Sequence, residues 1–371
     1  MIEPKLHPVA TQRLLSLDAF RGFTIALMIV VNNPGSWAHV YAPLLHAEWH
    51  GLTSTDLVFP FFLFIVGVSI VLAYSKRLLA GADKKEIYRK IVIRSLKIFA
   101  IGLFLNLFPN FHFEEMRVAG VLQRIAIVFL VCSMLYLNTN WKTLTTIGAG
   151  ILIFYYIIMV FVPVPGLGVP SLAAGKNIAA WIDGILLPGN MWQGTWDPEG
   201  LFSTLPAIAT GIAGILAGVL MVSNKPIENK IILQFTLGFF TLVAGVVWSW
   251  FFPVNKNLWT SSYVLYTAGA ASLTLAASIY VVDVLHIERW TRPGRILGAN
   301  AITVYVISGI LPGLYSLLFP SGKGLDAWLM EAMENIGFAP KFASLCYALL
   351  FMLVCYVPAY FLYKKKIFIK L

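Results

Sequence analysis

Charged side chains are scarce in this chain. Of its 371 residues, 12% are Asp, Glu, Lys or Arg, compared with about 25% in soluble domains, and 59% are hydrophobic. A soluble enzyme of this length would interrupt its apolar runs with charge every few residues. The composition therefore excludes a soluble globular fold and indicates a polytopic membrane protein.

Cysteine is also scarce, and strand-like alternation is absent. The three cysteines, Cys132, Cys346 and Cys355, all lie inside apolar runs, so they form neither a disulfide framework nor a zinc-ligand pattern. Strict alternation of apolar and polar residues, which marks transmembrane β-strands, does not occur. Residues 1–16 are polar, so we expect them to form a cytoplasmic N-terminal segment and not a cleavable signal peptide.

Long apolar runs dominate the rest of the chain. Several approach the roughly 20 residues that cross a bilayer as a helix, and in lipid each backbone polar group must be bonded within its own element. We therefore predict an all-α fold, a polytopic membrane helix bundle of about ten transmembrane helices that forms one domain over residues 1–371. The runs are centred near Met28, Ile65, Phe99, Val128, Phe154, Gly211, Val243, Leu273, Ile307 and Met352.

The net charge of +10 comes from basic residues in the short connections between these runs. With residues 1–16 in the cytoplasm, most of the 27 Lys and Arg residues lie on the cytoplasmic side, as the positive-inside rule requires. Both termini are therefore predicted to be cytoplasmic, and the Gly- and Pro-rich connection 163–200 to face outward. Because the basic residues do not share one amphipathic face, we expect no nucleic-acid partner.

Residues 32–56 hold the side chains best suited to chemistry, in an outward connection between two uncharged apolar runs. Histidine takes up a proton near neutral pH, so His46 is a candidate general base, with an ordinary hydrogen-bonded loop histidine as the alternative. The spacing of His39, His46 and His50 matches no zinc-ligand pattern. Asn32 could donate to an oxyanion or simply end its helix.

Other charged residues beside the apolar runs invite both structural and functional interpretations. A guanidinium within a span costs about 2.5–3.5 kcal/mol, so Arg124 is expected to face a cavity or an anion, or to pair with Glu114, Glu115 or another carboxylate. Asp18 and Arg21 lie three residues apart and should share one helix face. Asp56 precedes the second apolar run and is expected to cap its helix.

Six motifs, in this order, resemble those of the heparan-α-glucosaminide N-acetyltransferase family over nearly the whole chain. The chain is similar to a bacterial-type member, in which we expect no counterpart of the large lumenal N-terminal domain of the animal lysosomal enzyme. The resemblance implies a multi-pass protein of the bacterial inner (cytoplasmic) membrane. The motifs are LDAFRG, HAEWHGLTSTDLVFPFFLFIVG, GVLQR, DPEGLFSTLPAIATG, NKNLWTSSYV and GANAITVYV.

The resemblance implies acetyl transfer across the membrane, from cytoplasmic acetyl-CoA as cosubstrate to the amine of a terminal glucosamine or related amino sugar outside. It also implies a homodimer in contact with membrane lipid, and we expect no metal. An acyltransferase for another envelope glycan and a non-catalytic amino-sugar permease remain the alternatives. Direct transfer and an acetyl-histidine intermediate are both open.

The same resemblance places the catalytic residues at His46 and Asn32. We expect basic and polar residues near the cytoplasmic mouth and in the interior to bind the cofactor, namely Arg124, Arg94, Lys97, Arg21 and Asn300. The acceptor mouth is predicted in the outward connections, where Trp side chains could stack on a sugar or form an interfacial aromatic belt. Its predicted residues are Trp192, Trp196, Asp197, Glu199, Asp56 and Lys256, with Trp181 nearby.

Overall fold

The computed structural model describes residues 14–318 and 324–369, so most of the predicted segment 1–16 lies outside the described residues. The described chain is almost entirely helical, with one isolated β-bridge, which joins Arg117 to Gly189. Its helices are α1 (Leu15–Asn32), α2 (Val58–Leu79), α3 (Lys84–Leu107), α4 (Val121–Asn138), α5 (Trp141–Phe161), α6 (Ile178–Leu186), α7 (Leu201–Val222), α8 (Ile227–Ser249), α9 (Ser261–Ser278), α10 (Arg292–Ala299), α11 (Ala301–Leu318), α12 (Leu325–Asn335) and α13 (Pro340–Lys364).

The prediction of an all-α polytopic membrane protein is confirmed. Among the described residues, eight helices are long and apolar enough to cross a membrane, and a ninth if α10 and α11, bent by 72°, form one span. The run predicted near Phe99 forms helix α3, which is not among these candidates. Basic side chains lower the hydropathy of its first half, from Lys84 to Lys97.

Two opposite sets of connections define the ends of the bundle. The His46 end comprises the connections 33–57, 108–120, 162–200 and 250–260, which contact one another. For example, Gly51 N–H donates to the Val254 carbonyl at 2.8 Å. The terminal end contains the first described turn of α1 and the tail after α13, and Leu15 N–H there donates to Asp283 Oδ1 at 3.0 Å.

Helices α1, α2 and α7 form the centre of the bundle. In each of these helices, 67% of an apolar 18-residue stretch is buried, whereas in α8 the buried share of such a stretch is 17%. Glycines let the central helices approach closely: a Cβ built on Gly67 of α2 would lie 2.1 Å from the Gly211 carbonyl oxygen of α7. Such contacts between small residues are the usual means of packing helices in lipid.

Candidate active site

A histidine and a buried carboxylate meet at the His46 end. Nδ1 of His46 lies 2.7 Å from Oδ1 of Asp56, which belongs to the 3₁₀ turn Thr55–Leu57 just before α2. The His46 side chain is 41% exposed and that of Asp56 1% exposed. The buried carboxylate therefore holds Nδ1 and not Nε2, the arrangement of an oriented general base.

The prediction that Asp56 caps helix α2 is wrong, because no side chain caps that helix. Oδ2 of Asp56 instead accepts hydrogen bonds from Ala47 N–H at 3.1 Å, Thr53 N–H at 3.0 Å and the Thr53 hydroxyl at 3.1 Å. The 3₁₀ turn directs the carboxylate back over its own loop and away from the helix. Asp56 thus fixes the path of the loop and the orientation of His46 together.

An aromatic layer lies directly beneath this pair. The Tyr263 hydroxyl donates to the Asp56 carbonyl oxygen at 2.6 Å. The ring of Trp259 meets Tyr263 edge-on at 5.2 Å and Phe59 of α2 at 5.1 Å between centroids. Trp259 and Tyr263 are almost completely buried, so this layer anchors the turn that carries Asp56 to the core of the bundle.

Lys256 reaches the same histidine from the connection between α8 and α9. Its Nζ lies 3.1 Å from both Nδ1 and Nε2 of His46. Burial lowers the pKa of the Lys256 ammonium, although the charges of Glu199 and Asp56 act in the opposite direction. The predicted acceptor residue Lys256 therefore lies against His46 itself.

His50, in the same loop, has a different environment. Its Nδ1 lies 3.3 Å from Nδ2 of Asn255, and partial burial lowers the pKa of its imidazole. Asn255 also accepts a hydrogen bond from Leu258 N–H at 2.9 Å, which shapes the connection that carries Lys256. His50 therefore links the two connections and is not in contact with His46.

Arg124 of α4 is 1% exposed and lies near the aromatic layer. One of its amino groups donates to the Gly200 carbonyl at 3.1 Å and also to the Ser203 hydroxyl, and its guanidinium lies 4.9 Å from the Trp259 ring centroid. Within the described residues it forms no ion pair with Glu114 or Glu115, and its Nε and Nη1 have no hydrogen-bond partner. The sequence-based alternative of such an ion pair is therefore wrong.

Asp197 and Glu199 form a cluster with Arg117 that the sequence did not reveal. The Arg117 guanidinium donates twice to Asp197 and once to Glu199, each at 2.6 Å, and lies 5.2 Å from the Trp192 ring centroid. Burial alone would raise the pKa of the Asp197 carboxyl, but the hydrogen bonds and charge of Arg117 hold it below its ordinary value. In the sequence, the two nearby carboxylates Asp197 and Glu199 indicated that a basic partner could lie close to them.

The tryptophans predicted for the acceptor mouth differ in exposure. Trp192 is 65% exposed beside Arg117, and Trp181 is 41% exposed. Trp196 is half-buried and meets Trp49 edge-on, with ring centroids 4.9 Å apart. Trp49 in turn donates to the Leu172 carbonyl at 2.9 Å, so Trp196 helps fix the connection 162–200 over the loop that holds His46.

Asp183 of α6 is a further buried carboxylate at this end. Its Oδ1 accepts from Phe202 N–H at 2.9 Å, so it binds the start of α7. Burial raises the pKa of the Asp183 carboxyl to about 6. Because its hydrogen bonds serve a helix terminus, Asp183 positions the segment that carries Glu199.

A cavity of about 500 Å³ opens at the terminal end. Three of the five predicted cofactor residues, Arg21, Arg94 and Asn300, line it together with Lys76. Arg21 donates to the Ser69 hydroxyl at 2.7 Å and pairs with Asp18 at 3.7 Å, which confirms that Asp18 and Arg21 share a helix face.

The remaining cofactor candidates lie elsewhere. The lining residues of the cavity include neither Lys97, which is exposed on α3, nor Arg124. Along α2 the lining extends from Lys76 to Phe62, which corresponds to about 21 Å at the helical rise of about 1.5 Å per residue. The cavity therefore runs from the terminal end towards the aromatic layer, since Phe62 lies one turn from Phe59.

Asn300 lies at the bend between α10 and α11 and is 2% exposed. Its amide nitrogen donates to the Ile367 carbonyl at 3.1 Å, and its amide oxygen accepts from Ile369 N–H at 2.8 Å. Ile369 itself lines the cavity. Asn300 thus holds the tail after α13 as part of the cavity wall.

Asn32, the second predicted catalytic residue, is exposed at the last turn of α1. In the described part of the chain, no hydrogen bond joins its side chain to His46. The neighbouring Asn33 side chain bonds back to the Ile29 carbonyl at 2.8 Å and ends the helix. The structure therefore brings His46, Asp56 and Lys256 into contact but not Asn32.

Within residues 14–318 and 324–369, no group of three or more His, Cys, Asp or Glu side chains could hold a metal ion.

Known proteins resemble this chain over most of its length. A family profile described as heparan-alpha-glucosaminide N-acetyltransferase, catalytic, matches residues 13–226. The mouse protein named heparan-alpha-glucosaminide N-acetyltransferase is 29% identical over 431 aligned positions, which cover 100% of this chain and 62% of the mouse protein. The human protein of that name is 29% identical over 420 positions, covering 97% of this chain and 60% of the human protein. This chain thus spans about three-fifths of the length of both relatives, and it belongs to the heparan-alpha-glucosaminide N-acetyltransferase catalytic family.

Proposed function

We propose that this protein transfers the acetyl group of cytoplasmic acetyl-CoA to the amine of a terminal glucosamine or related amino sugar on the opposite side of a bacterial inner membrane. The observation that carries the proposal is the pairing of an oriented histidine at one end of the bundle with a long, partly basic cavity entering from the other. Membership of the acetyltransferase family supports the reaction type. A homodimer, expected from the family resemblance, is part of the same proposal.

The cavity suits the acetyl donor. Its mouth, at the end that carries the basic connections, offers Arg21, Lys76 and Arg94 to the phosphates of the nucleotide. Its interior is lined largely by apolar side chains such as Phe62 and Phe129 and suits a thioester-bearing arm. The length of the cavity along α2 would bring the thioester towards the layer below His46.

The chemistry at the other end requires a base, because an amine must be neutral to attack a thioester. Asp56 holds a proton on Nδ1 of His46, so that Nε2 accepts the proton released by the amine. The new C–N bond forms first, the C–S bond then breaks, and His46 returns the proton to the departing sulfur. A two-step route would place the acetyl group on His46 first, with the same proton balance overall.

Radiolabelled acetyl transfer by the purified full chain tests the proposal. We expect transfer from acetyl-CoA to glucosamine and at least some other amino sugars, and loss of that transfer in His46→Ala. His39→Ala, a loop histidine that lines a separate cleft, is the matched control and should retain activity. A protein that binds amino sugars but neither binds nor consumes acetyl-CoA would be a permease, and the proposal would fail.

Two further measurements address the route and the sidedness. Mass spectrometry of the His46 peptide after incubation with acetyl-CoA and no acceptor distinguishes an acetyl-histidine intermediate from direct transfer. Oriented vesicles supplied with acetyl-CoA on one side and an impermeant amino sugar on the other test transfer across the membrane. Product formed only when both substrates share one side would refute it.

A further inference from the structure

The contact between Lys256 and His46 is unusual for a half-buried lysine. Lysines that leave water usually pair with a carboxylate. Within the described residues, the contacts of Lys256 Nζ are instead the two ring nitrogens of His46, each at 3.1 Å. This contact lacks the opposite charge of a salt bridge, so it is not explained as a stabilising ion pair.

Burial and the neighbouring charges act on the Lys256 ammonium in opposite directions. The negative charges of Asp56 and Glu199 act on it favourably, and the positive charge of Arg124 acts against it, while burial lowers the pKa of its ammonium. Asp56 also binds His46 directly, so the lysine and the carboxylate approach the ring from two sides. A lysine N–H donor therefore lies beside the nitrogen that would accept the amine proton.

We propose that Lys256 is a further catalytic residue of the acetyl transfer proposed above, and that its ammonium donates a hydrogen bond to the thioester carbonyl oxygen. The inference rests on that proposed function. Resemblance to the family suggested Asn32 for this role, but Asn32 makes no hydrogen bond to His46 in the described chain, whereas Lys256 contacts both ring nitrogens. An acceptor amine bonded to Nε2 would attack a carbonyl carbon within reach of Nζ.

The step is balanced. The amine nitrogen attacks the carbonyl carbon and its proton passes to His46 Nε2, which leaves a tetrahedral oxyanion opposite the Lys256 ammonium. The oxyanion then collapses, the C–S bond breaks, and the sulfur takes the proton back from His46. Lys256 keeps its own protons throughout. Its contribution is electrostatic and is larger for the oxyanion than for the neutral carbonyl.

Substitution of Lys256 tests the proposal in the full-length protein. Loss of one oxyanion donor lowers kcat about 100- to 1,000-fold, so Lys256→Met should fall within that range while KM for acetyl-CoA changes little. Lys256→Arg keeps the charge and a donor and should retain much more activity than Lys256→Met. Lys176→Met, an exposed lysine at the same end, is the matched control and should behave like the wild type.

The pH profile separates a catalytic role from a structural one. The charged groups that act at this position are Asp56, Glu199, Arg124 and Lys256 itself. Removal of the ammonium leaves Asp56 as the charge in contact with His46, which favours the protonated ring. The acid limb of kcat/KM should therefore move to higher pH in Lys256→Met but not in Lys256→Arg.

Guanidinium ion offers an additional readout, because it supplies a cationic N–H donor but is a poor acetyl acceptor. We expect guanidinium to restore part of the activity of a Lys256→Ala variant, and tetramethylammonium, which has no N–H, to restore none. A folded Lys256→Met protein with wild-type kcat and an unshifted acid limb would overturn the role of Lys256 and leave the proposed function intact. A wild-type protein without acetyl transfer would overturn both.

Discussion

Substitution of Asp56 by Asn should disable the candidate general base without removing its loop contacts. Oδ2 of Asp56 accepts three hydrogen bonds, from Ala47 N–H and from the N–H and hydroxyl of Thr53. The Asn carbonyl oxygen must take that position, because an amide NH₂ there would face three donors. The NH₂ group then occupies the position of Oδ1, 2.7 Å from His46 Nδ1.

This placement reverses the tautomer of the ring. The Asn NH₂ donates to Nδ1, so the neutral imidazole carries its proton on Nε2 and offers no lone pair to the acceptor amine. General-base catalysis contributes about 10²- to 10⁴-fold, and an Asp→Asn change in a Ser-His-Asp triad lowers kcat by about 10⁴. We therefore expect Asp56→Asn to lower kcat by about 10²- to 10⁴-fold, or about 3 to 5.5 kcal/mol in activation free energy.

The assay compares single-turnover acetyl transfer in wild type, Asp56→Asn and the control Asp326→Asn, an exposed carboxylate at the same end. Thermal unfolding should change little in Asp56→Asn, because three of the four side-chain hydrogen bonds persist and the fourth reverses its direction, so that only the charge is lost, at a cost of about 1–2 kcal/mol. Activity of folded Asp56→Asn within about threefold of wild type would refute the assignment of the tautomer, since a contribution of 10² or more would then be absent.

Other predictions concern the frame and the cavity. Gly67→Ala places a Cβ 2.1 Å from the Gly211 carbonyl oxygen and should lower the unfolding temperature, whereas Gly150→Ala, with open space around it, should not; equal effects would contradict the packing between α2 and α7. Asn300→Ala removes the hydrogen bonds that hold the tail in the cavity wall, so it should raise KM for acetyl-CoA more than KM for the amino sugar. Steady-state kinetics measures both constants, and an unchanged ratio of the two KM values would argue against the tail as part of the donor site. Asp183 has a pKa raised to about 6 from an ordinary 3.8, so the folded state binds its proton more tightly. Its contribution to stability should be fully present below pH 4 and lost as the pH rises to about 6, and a thermal-unfolding series without this loss relative to Asp183→Asn would contradict it.

The helical frame was predictable because lipid leaves an apolar run few alternatives to a helix. Each of the ten predicted runs lies in a helix of the described chain, including the run near Phe99 whose basic residues lower its hydropathy. The pairing of Asp18 with Arg21 was predictable for a related reason, since residues three apart in a helix share a face. Periodicity thus accounts for the elements and for contacts within them.

The contacts that make the site were not predictable from periodicity. His46 and Asp56 are 10 residues apart in an irregular loop, and Lys256 is 210 residues from His46. Arg117 and Asp197 are 80 residues apart and meet because two connections cross at one end of the bundle. The path of a connection depends on tertiary contacts such as the hydrogen bond of Trp49, which no local pattern records.

The aromatic layer of Phe59, Trp259 and Tyr263 has an electrical consequence. These edge-to-face rings place an apolar layer between the turn that carries Asp56 and the end of the cavity at Phe62. Moving one charge across a membrane potential of 100 mV involves about 2.3 kcal/mol. An acetyl group is neutral, and so is a thiol that regains its proton from His46 before it withdraws. Under the proposed function, turnover should therefore be indifferent to the membrane potential, which measurements in vesicles at different imposed potentials can check.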